Sequence, residues 1–296
     1  MQQTTATPSK RRATGLRWLR PLVLWAVGWT VACADIDING PEFPDSDWPF
    51  PNDTTGQVRV SWDWRNPMPS GQHIEIKAVS GDIRATTALG SEVVVTATKI
   101  GRPGDVAAVS IAVVSHASGV TICALYPSVA RRPANTCEPG DAGNMSVWDS
   151  AGGSVKVEFA VEVPEGVDFI GRTLAGDIVA TELHSDVFAY SMAGDIHIST
   201  ARLATAITQW GSVVATLGLP DWGRDLEFST LTGDIRVTIP AATNAVVQAT
   251  AQAGDITSDF PLTQVAPGRI RGTLGSGGPT LTLSTLAGDV TLKRGG

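Results

Sequence analysis

The chain has 296 residues, of which 31 are glycine and 6% are aromatic, with a formal net charge of −7. That length allows one elongated domain or two compact ones, and so much glycine with so few rings suits thin stacked strands better than a thick globular core. Residues 1–32 hold Lys10, Arg11, Arg12, Arg17 and Arg20 and no acid, so removing those five charges leaves −12 for the remainder, a balance that argues against nucleic acid and anionic membrane surfaces as partners.

Residues 1–34 read as an export signal: the basic residues precede an apolar run from Pro21 to Ala32, and the small residues Ala32-Cys33-Ala34 follow. The run is too short to span a bilayer comfortably; the competing reading is a retained single-pass anchor. Two processing routes stay open. Ala32-x-Ala34 fits ordinary signal peptidase, whereas Thr30-Val31-Ala32-Cys33 resembles a lipobox that would acylate Cys33. Thr30 stands where lipoboxes carry Leu, which favours simple cleavage. A membrane contact is therefore expected only if Cys33 is lipidated or the N-terminal segment is retained. Arg11-Arg12 lacks the Phe-Leu of a twin-arginine signal. Residues 35–56, rich in Asp and Pro and carrying Trp48 and Phe50, read as an extended, disordered tether.

From residue 57 the pattern turns β-like. Val58, Val60, Trp62 and Trp64 alternate, Ile74 and Ile76 follow, and then comes the first copy of a recurring phrase, Ser80-Gly81-Asp82-Ile83. Trp62 and Trp64 are expected to cover the open end of a stack; a sugar-stacking platform is the alternative. The phrase returns around Gly176-Asp177, Gly194-Asp195, Gly233-Asp234, Gly254-Asp255 and Gly288-Asp289, and in degenerate form as Trp210-Gly211-Ser212-Val213. From Gly176 onward the glycines are 18, 17, 22, 21 and 34 residues apart. Recurrence at this period marks a repeat architecture, in which each unit covers its neighbour's apolar face.

Each repeat is expected to be strand, Gly-Asp corner, strand and loop. Both arms alternate with period two, but the step from the small residue three before the Gly to the Ile or Val two after it is odd. One side chain must be skipped, and a corner or bulge at Gly-Asp does this. Successive aspartates (Asp177, Asp195, Asp234, Asp255, with Ser212 in the series) would then run down one edge. Each carboxylate is expected to cap its own turn. A calcium ladder is disfavoured because the nonapeptide spacing of calcium β-rolls is missing. The same phrase orientation without Asn-Gly hairpin turns disfavours an antiparallel barrel.

Residues 101–163 interrupt the repeat with three expected strands, Val106–Ser115, Val120–Tyr126 and Val155–Val163, and a loop over 126–147 that contains Arg131-Arg132. Cys123 just before that loop and Cys137 within it form the natural disulfide pair of an exported chain. No His or second Cys pair sits at ligand spacing, so no metal is expected. Regular coils fill 164–294, with a loose glycine-rich loop at Gly272–Gly278 that lacks the Lys and the helix of a phosphate cradle, so no cofactor is expected either.

The Gly-Asp-Ile coils, the Gly119-Val-Thr-Ile-Cys-Ala-Leu-Tyr-Pro127 segment with Cys137, the Val163-Pro-Glu-Gly-Val167 link and the Leu274-Gly-Ser-Gly-Gly278 ending together resemble the bacterial β-strand-repeat family called "putative adhesin", over roughly residues 57–294. The resemblance implies an all-β, right-handed parallel β-solenoid carried outside the cytoplasm, in the periplasm, on the outer-membrane surface or secreted. Relatives also resemble the toast-rack domains of envelope-stress systems. The family transfers no catalytic residues. The degenerate Gly211-Ser212 copy departs from it and is expected to blur one corner of the ladder.

The expected function is a non-enzymatic envelope protein that offers a β face to a surface glycan or an envelope protein. A polysaccharide lyase or hydrolase is the first alternative, by fold analogy alone; it needs convergent carboxylates with Lys or Arg in a groove. His73, His116, His184 and His197 have no evident partners in the sequence. A sensor acting through a membrane partner is the second alternative.

Overall fold

The computed structural model describes residues 56–128, 133–145 and 154–295, all within the unit Asn52–Gly296. The export-signal, Cys33, tether and Arg131-Arg132 readings lie outside the described residues.

Among the described residues the fold is all-β apart from one short helix. The chain runs β1 (Val58–Pro67), β2 (His73–Lys77), β3 (Ile83–Thr87), β4 (Glu92–Gly101), α1 (Pro103–Ala108), β5 (Ser110–His116), β6 (Gly119–Leu125) and β7 (Lys156–Val163). Then follow β8 (Asp168–Ala175), β9 (Ile178–Leu183), β10 (Val187–Ala193), β11 (Ile196–Thr200), β12 (Ala204–Ile207), β13 (Val213–Leu217), β14 (Leu226–Thr232) and β15 (Ile235–Pro240). The last six are β16 (Ala245–Ala253), β17 (Ile256–Ser258), β18 (Thr263–Ala266), β19 (Arg269–Leu274), β20 (Thr280–Ala287) and β21 (Val290–Gly295).

Two large sheets result. The ten-stranded sheet has the order β1-β4-β7-β3-β9-β11-β13-β15-β21-β17, and the eleven-stranded sheet β18-β19-β16-β20-β14-β12-β10-β8-β2-β6-β5. Each repeat sends its first arm to the eleven-stranded sheet and, past Gly-Asp, its second arm to the ten-stranded one. Alternating residues of both, among them Ile74, Phe169, Phe228 and Leu283 from one and Ile83, Ile178, Ile198 and Val237 from the other, form one buried cluster. Alanine at the inward positions (Ala85, Ala180, Ala189, Ala206, Ala215, Ala249) keeps that core thin.

The sheets are mixed, not wholly parallel. Repeat strands pair in parallel, as in β10 with β8 and β12. Towards the ends pairs run antiparallel: β1–β4, β4–β7, β5–β6, β16–β19 and β18–β19, of which β5–β6 and β18–β19 are hairpins. Neither is the stack in sequence order. β20–β21 slots between β14–β15 and β16–β17, and β2–β3 between β6–β7 and β8–β9.

The stretch 101–163 is less of an interruption than expected. β6 and β7 are the two arms of a further rung beside β2–β3, with a long loop where other rungs have their corner. Val106 opens no strand: Pro103 starts a helical turn and Val106 sits buried within it. Nor is Gly272–Gly278 wholly a loop, since β19 runs to Leu274. Trp62 and Trp64 lie on edge strand β1, half-buried against the core.

Candidate functional site

The corner residues come together as a row in the spatial order 81, 176, 194, 211, 233, 288, 254. Every corner Gly has positive φ, from +126° at Gly81 to +152° at Gly194. A Cβ on Gly194 would meet the Gly176 carbonyl oxygen at 2.0 Å, and one on Gly288 the Gly233 oxygen at 2.1 Å. Only glycine allows that approach. Each aspartate except Asp255, the last of the row, caps the neighbouring rung, which corrects the expectation that it caps its own turn. Asp82 accepts from Asp177 N–H (3.1 Å), Asp177 from Asp195 N–H (2.8 Å), Asp195 from Ser212 N–H (2.7 Å), Asp234 from Asp289 N–H (2.8 Å) and Asp289 from Asp255 N–H (2.8 Å). The degenerate rung does not blur the row. Ser212 Oγ accepts from Asp234 N–H at 3.2 Å, so a neutral hydroxyl holds the place of a carboxylate.

The hydroxyl residues three before the Gly take a second part in the corner. Ser191, Thr208, Thr230 and Thr285 donate to the carbonyls of Gly176, Gly194, Gly211 and Gly233 at 3.2, 3.0, 2.9 and 3.0 Å. A shorter aspartate series, eight residues before the Gly, was not read from the sequence. Asp168 accepts from Asp186 N–H (3.1 Å), Asp186 from Leu203 N–H (3.3 Å) and Asp225 from Thr280 N–H (2.7 Å). Its signal was present in the fixed offset from Gly176, Gly194 and Gly233.

The disulfide builds the first of two grooves. Cys123 and Cys137 are joined, with Cα atoms 5.7 Å apart. Cys123 is the cross-strand neighbour of Lys77, so the bond pulls the 133–145 segment over the outward face of β2. That cover is why the outward residues of β2 are buried: Glu75 is fully enclosed and Lys77 nearly so. Lys77 Nζ donates to the carbonyls of Glu138, Gly140 and Ala142 at 2.9, 2.9 and 2.8 Å. Glu75 Oε2 accepts from Gly140 N–H and from Thr121 Oγ1, both at 2.9 Å, while Oε1 meets Arg172 Nε at 2.8 Å. Arg172 Nη1 reaches Asp141 at 2.7 Å, and its guanidinium lies 4.3 Å over the Tyr190 ring. Burial lowers the Lys77 pKa, with Glu75 opposing. Burial also raises that of Tyr190.

Beside this segment opens a cavity of about 360 Å³, lined by Gly140–Gly143, Met145, Leu174, Tyr190, Met192 and Gln209 together with Lys77 and Arg172. Arg172 pairs with both Glu75 and Asp141, whereas Lys77 is held by backbone carbonyls, so two cations and two carboxylates lie at the wall and its formal charge is close to neutral. None of these residues was singled out in the sequence except the cysteines that hold the wall in place.

The second groove, about 570 Å³, is lined by Ser70, Gly71, Glu165, Gly166, Asp168, His184, Asp186 and Arg202. Arg202 Nε pairs with Asp186 at 3.3 Å, and burial raises the Asp168 pKa against the hydrogen bond from Asp186 N–H. Among the histidines, His184 is in this groove. The rings of His73 and His116 lie with centroids 5.2 Å apart and are tilted by 43°, and His116 Nε2 lies 3.1 Å from Thr121 Oγ1. Because the Thr121 proton goes to Glu75, that imidazole nitrogen is the donor. Among the described residues no cluster of three His, Cys, Asp or Glu is arranged to hold a metal, and no helix is long and apolar enough to cross a membrane.

No protein-family model matches the chain, and no curated relative does. Among solved structures, it is similar to a "putative cell adhesion protein" from Clostridium sporogenes, at 9% identity over 80% of this chain and 100% of that one, with a TM-score of 0.42. It is also similar to a "putative adhesin" from Bacteroides fragilis, at 14% identity over 80% of this chain and 97% of that one, with a TM-score of 0.35.

Proposed function

We propose that this chain is an exported, non-enzymatic envelope protein, wound as a right-handed β-solenoid, that works as an adhesin-like binding scaffold. Its ligand is a neutral surface glycan, held on the outer face of the eleven-stranded sheet in the groove beside the disulfide-bound segment. The observation that carries this reading is the wall of that groove. The segment 137–142 is fixed by one covalent bond, three Lys77 hydrogen bonds and the Glu75 and Arg172 contacts. A preformed cavity costs little ordering when it is filled. Arg172 is paired with Glu75 and Asp141 and the Lys77 ammonium is held by three carbonyls, so the wall has no cation left unpartnered for an anion. What it offers is the Tyr190 ring, the Gln209 amide and the apolar Leu174, Met192 and Met145 side chains, a combination suited to a sugar with one apolar face and a rim of hydroxyls. The test is a glycan-array screen of the wild-type chain and of Tyr190→Ala. Retention of a neutral glycan that is lost in Tyr190→Ala supports the reading; no retained glycan, or one held equally by the variant, overturns it.

A second reading, a polysaccharide lyase or hydrolase, is favoured by the other groove. There Asp168, with its carboxyl pushed up by burial, converges with Glu165, Asp186, His184 and Arg202, as proton transfer to a glycosidic oxygen requires. Turnover of pectin- or alginate-like polymers that disappears in Asp168→Asn would establish it.

A further inference from the structure

One rung of the stack departs from the repeat, and it does so twice. The residue before the corner Gly is Ser80, Ala175, Ala193, Thr232, Ala253 or Ala287 in the other copies and Trp210 in this one, and the residue after the Gly is Ser212 where the others have Asp. Neither change serves the corner. Gly211 keeps the positive φ of its neighbours, +147°, and the rung-to-rung hydrogen bonds run through Ser212 as they do through the aspartates. The Cα partners of Trp210 are Ala193 and Thr232 in the two adjoining rungs. Beside residues that small the indole stays 54% exposed. The missing carboxylate takes a strongly hydrated charge out of the same rung, one that a ligand covering the ring would have to dehydrate. Departures from a scaffold's own rule that bring the scaffold nothing are expected at functional positions.

Trp210 also stands where the groove beside the disulfide-bound segment runs out. Gln209, its neighbour in the chain, lines that groove together with Leu174 and Met192, and Trp210 N–H donates to the Met192 carbonyl at 3.0 Å. Leu174, Met192 and Gln209 share one position, two before the corner Gly, on three successive rungs. The next two rungs carry Leu231 and Leu286 there, and both are 47% exposed. Leu231 N–H donates to the Gln209 carbonyl at 3.2 Å, and the pairing of β14 with β20 sets Leu231 beside Leu286. An uncharged, largely apolar strip therefore leaves the groove and crosses the rungs next to the corner. It covers about 19 Å over four rung spacings, and Trp210 belongs to its middle rung.

We propose that the glycan is bound as a chain, an extended polymer of equatorially linked neutral sugars, with Tyr190 holding one ring in the groove and Trp210 stacking a later ring on the strip outside it. This rests on the glycan reading of the groove and adds to it a second subsite and a linkage class. The occupant follows from the shape and chemistry of the strip. It is longer than one sugar and advances rung by rung along the corner, which suits a flat ribbon. Equatorial linkages make such a ribbon, with C–H faces that stack on an indole, whereas axial linkages coil the chain away. Leu231 and Leu286 offer those faces further apolar contact. The residues at this position are uncharged on all five rungs, so a charged polymer would find no partner along the strip.

The test is calorimetric titration of the full chain with cello- and chito-oligosaccharides, from disaccharide to hexasaccharide, with malto-oligosaccharides as the coiled control. In wild type the affinity should rise at least about ten-fold with length in one of the two extended series, the scale of one aromatic stacking contact, and should not rise in the malto series. Trp210→Ala installs the residue that the repeat itself carries at Ala175, Ala193, Ala253 and Ala287, so it should fold as wild type does. It should hold the disaccharide unchanged and lose the gain with length, while Trp210→Phe keeps part of that gain. Tyr190→Ala should lose short and long chains alike. Binding indifferent to length, or a gain that Trp210→Ala retains, overturns the second subsite and leaves the groove reading standing. Binding of neither extended series overturns the proposal as well; a neutral glycan of another linkage retained on the array then preserves the groove reading, and no retained glycan removes both.

Discussion

Asp177 Oδ1 accepts the backbone N–H of Asp195 at 2.8 Å, although the two residues are 18 apart in sequence. A side chain thus substitutes for a rung-to-rung backbone hydrogen bond at the one point where the strand is broken by a corner. The same contact recurs along the row, so the carboxylates of Asp82, Asp177, Asp195, Asp234 and Asp289 each couple two rungs. The cost is a row of like charges spaced by about the strand separation of 4.8 Å, interrupted only at Ser212.

Replacing Asp177 by Ala removes the acceptor for Asp195 N–H and should lower unfolding stability by about 1 kcal/mol. Asp177→Asn keeps an oxygen acceptor while deleting one charge from the row. It should cost clearly less than the alanine variant. Urea unfolding of the two variants beside wild type checks the order; an asparagine variant as unstable as the alanine one would show that charge, not acceptance, is what the position supplies.

At Gly194 the substitution to alanine should be far more damaging than at the aspartates. The backbone sits at φ +152° and an added Cβ would lie 2.0 Å from the Gly176 carbonyl oxygen. Either the rungs separate locally or the corner changes conformation, a loss of about 3 kcal/mol or more. Gly90→Ala is the control, since nothing lies within 4 Å of its added Cβ. Urea midpoints should separate the two variants by well over the error of the measurement.

How much of this was legible in the sequence depends on the range of the contact. The corner was readable because Gly-Asp-Ile fixes local backbone geometry, and period-two alternation placed the arms. The disulfide was readable from the count of cysteines. What the sequence did not reveal were relations between distant segments. The slotting of β20–β21 between β14–β15 and β16–β17 leaves every local pattern unchanged, since a rung's apolar face is the same whichever neighbour covers it. Glu75 and Lys77 alternate with core residues Ile74 and Ile76, and only the segment drawn over them by Cys137 makes them interior. The His73–His116 pair and the Asp168 groove are likewise assembled from separate rungs.

The order of the rungs has a consequence for truncation. In a stack wound in sequence order, deleting the last rung peels one end. Here β20 pairs with both β14 and β16, and β21 with both β15 and β17. Ending the chain after Gly275 removes the bridge between β14–β15 and β16–β19 and exposes Phe228, Val237 and Val247, which are now buried. The truncated chain should be insoluble or rapidly degraded, in contrast to the mild loss expected of a peeled terminal rung. Limited proteolysis against the full chain distinguishes the two.

Loss of the disulfide should release the groove wall without unfolding the sheets. Cys123 and Cys137 are 14 residues apart, which on loop entropy corresponds to about 3 kcal/mol. Lys77, Glu75 and Arg172 would still hold the segment, so the loss should appear as faster amide exchange at 137–142 before any change in strand content. Exchange mass spectrometry of Cys137→Ser checks this; unchanged protection there would mean that the polar contacts alone fix the wall.

Stability should also respond to pH through His73. Burial and the neighbouring His116 lower its pKa from the ordinary 6.5, against smaller opposite effects of Glu75 and Asp168. In the window below 6.5 the unfolded chain then binds a proton that native His73 does not. Stability from this group is complete above that window and is lost as the pH falls through it. Asp168 acts with the opposite slope, because burial raises its pKa from 3.8 and the native state holds the extra proton in the window above 3.8. The two effects separate in a variant. His73→Gln should flatten the fall in stability just below pH 6.5 and leave the behaviour near pH 4 unchanged. Denaturant titrations from pH 7.5 to pH 4 on both proteins measure the difference, and parallel curves throughout would show that His73 titrates alike in the native and unfolded chains.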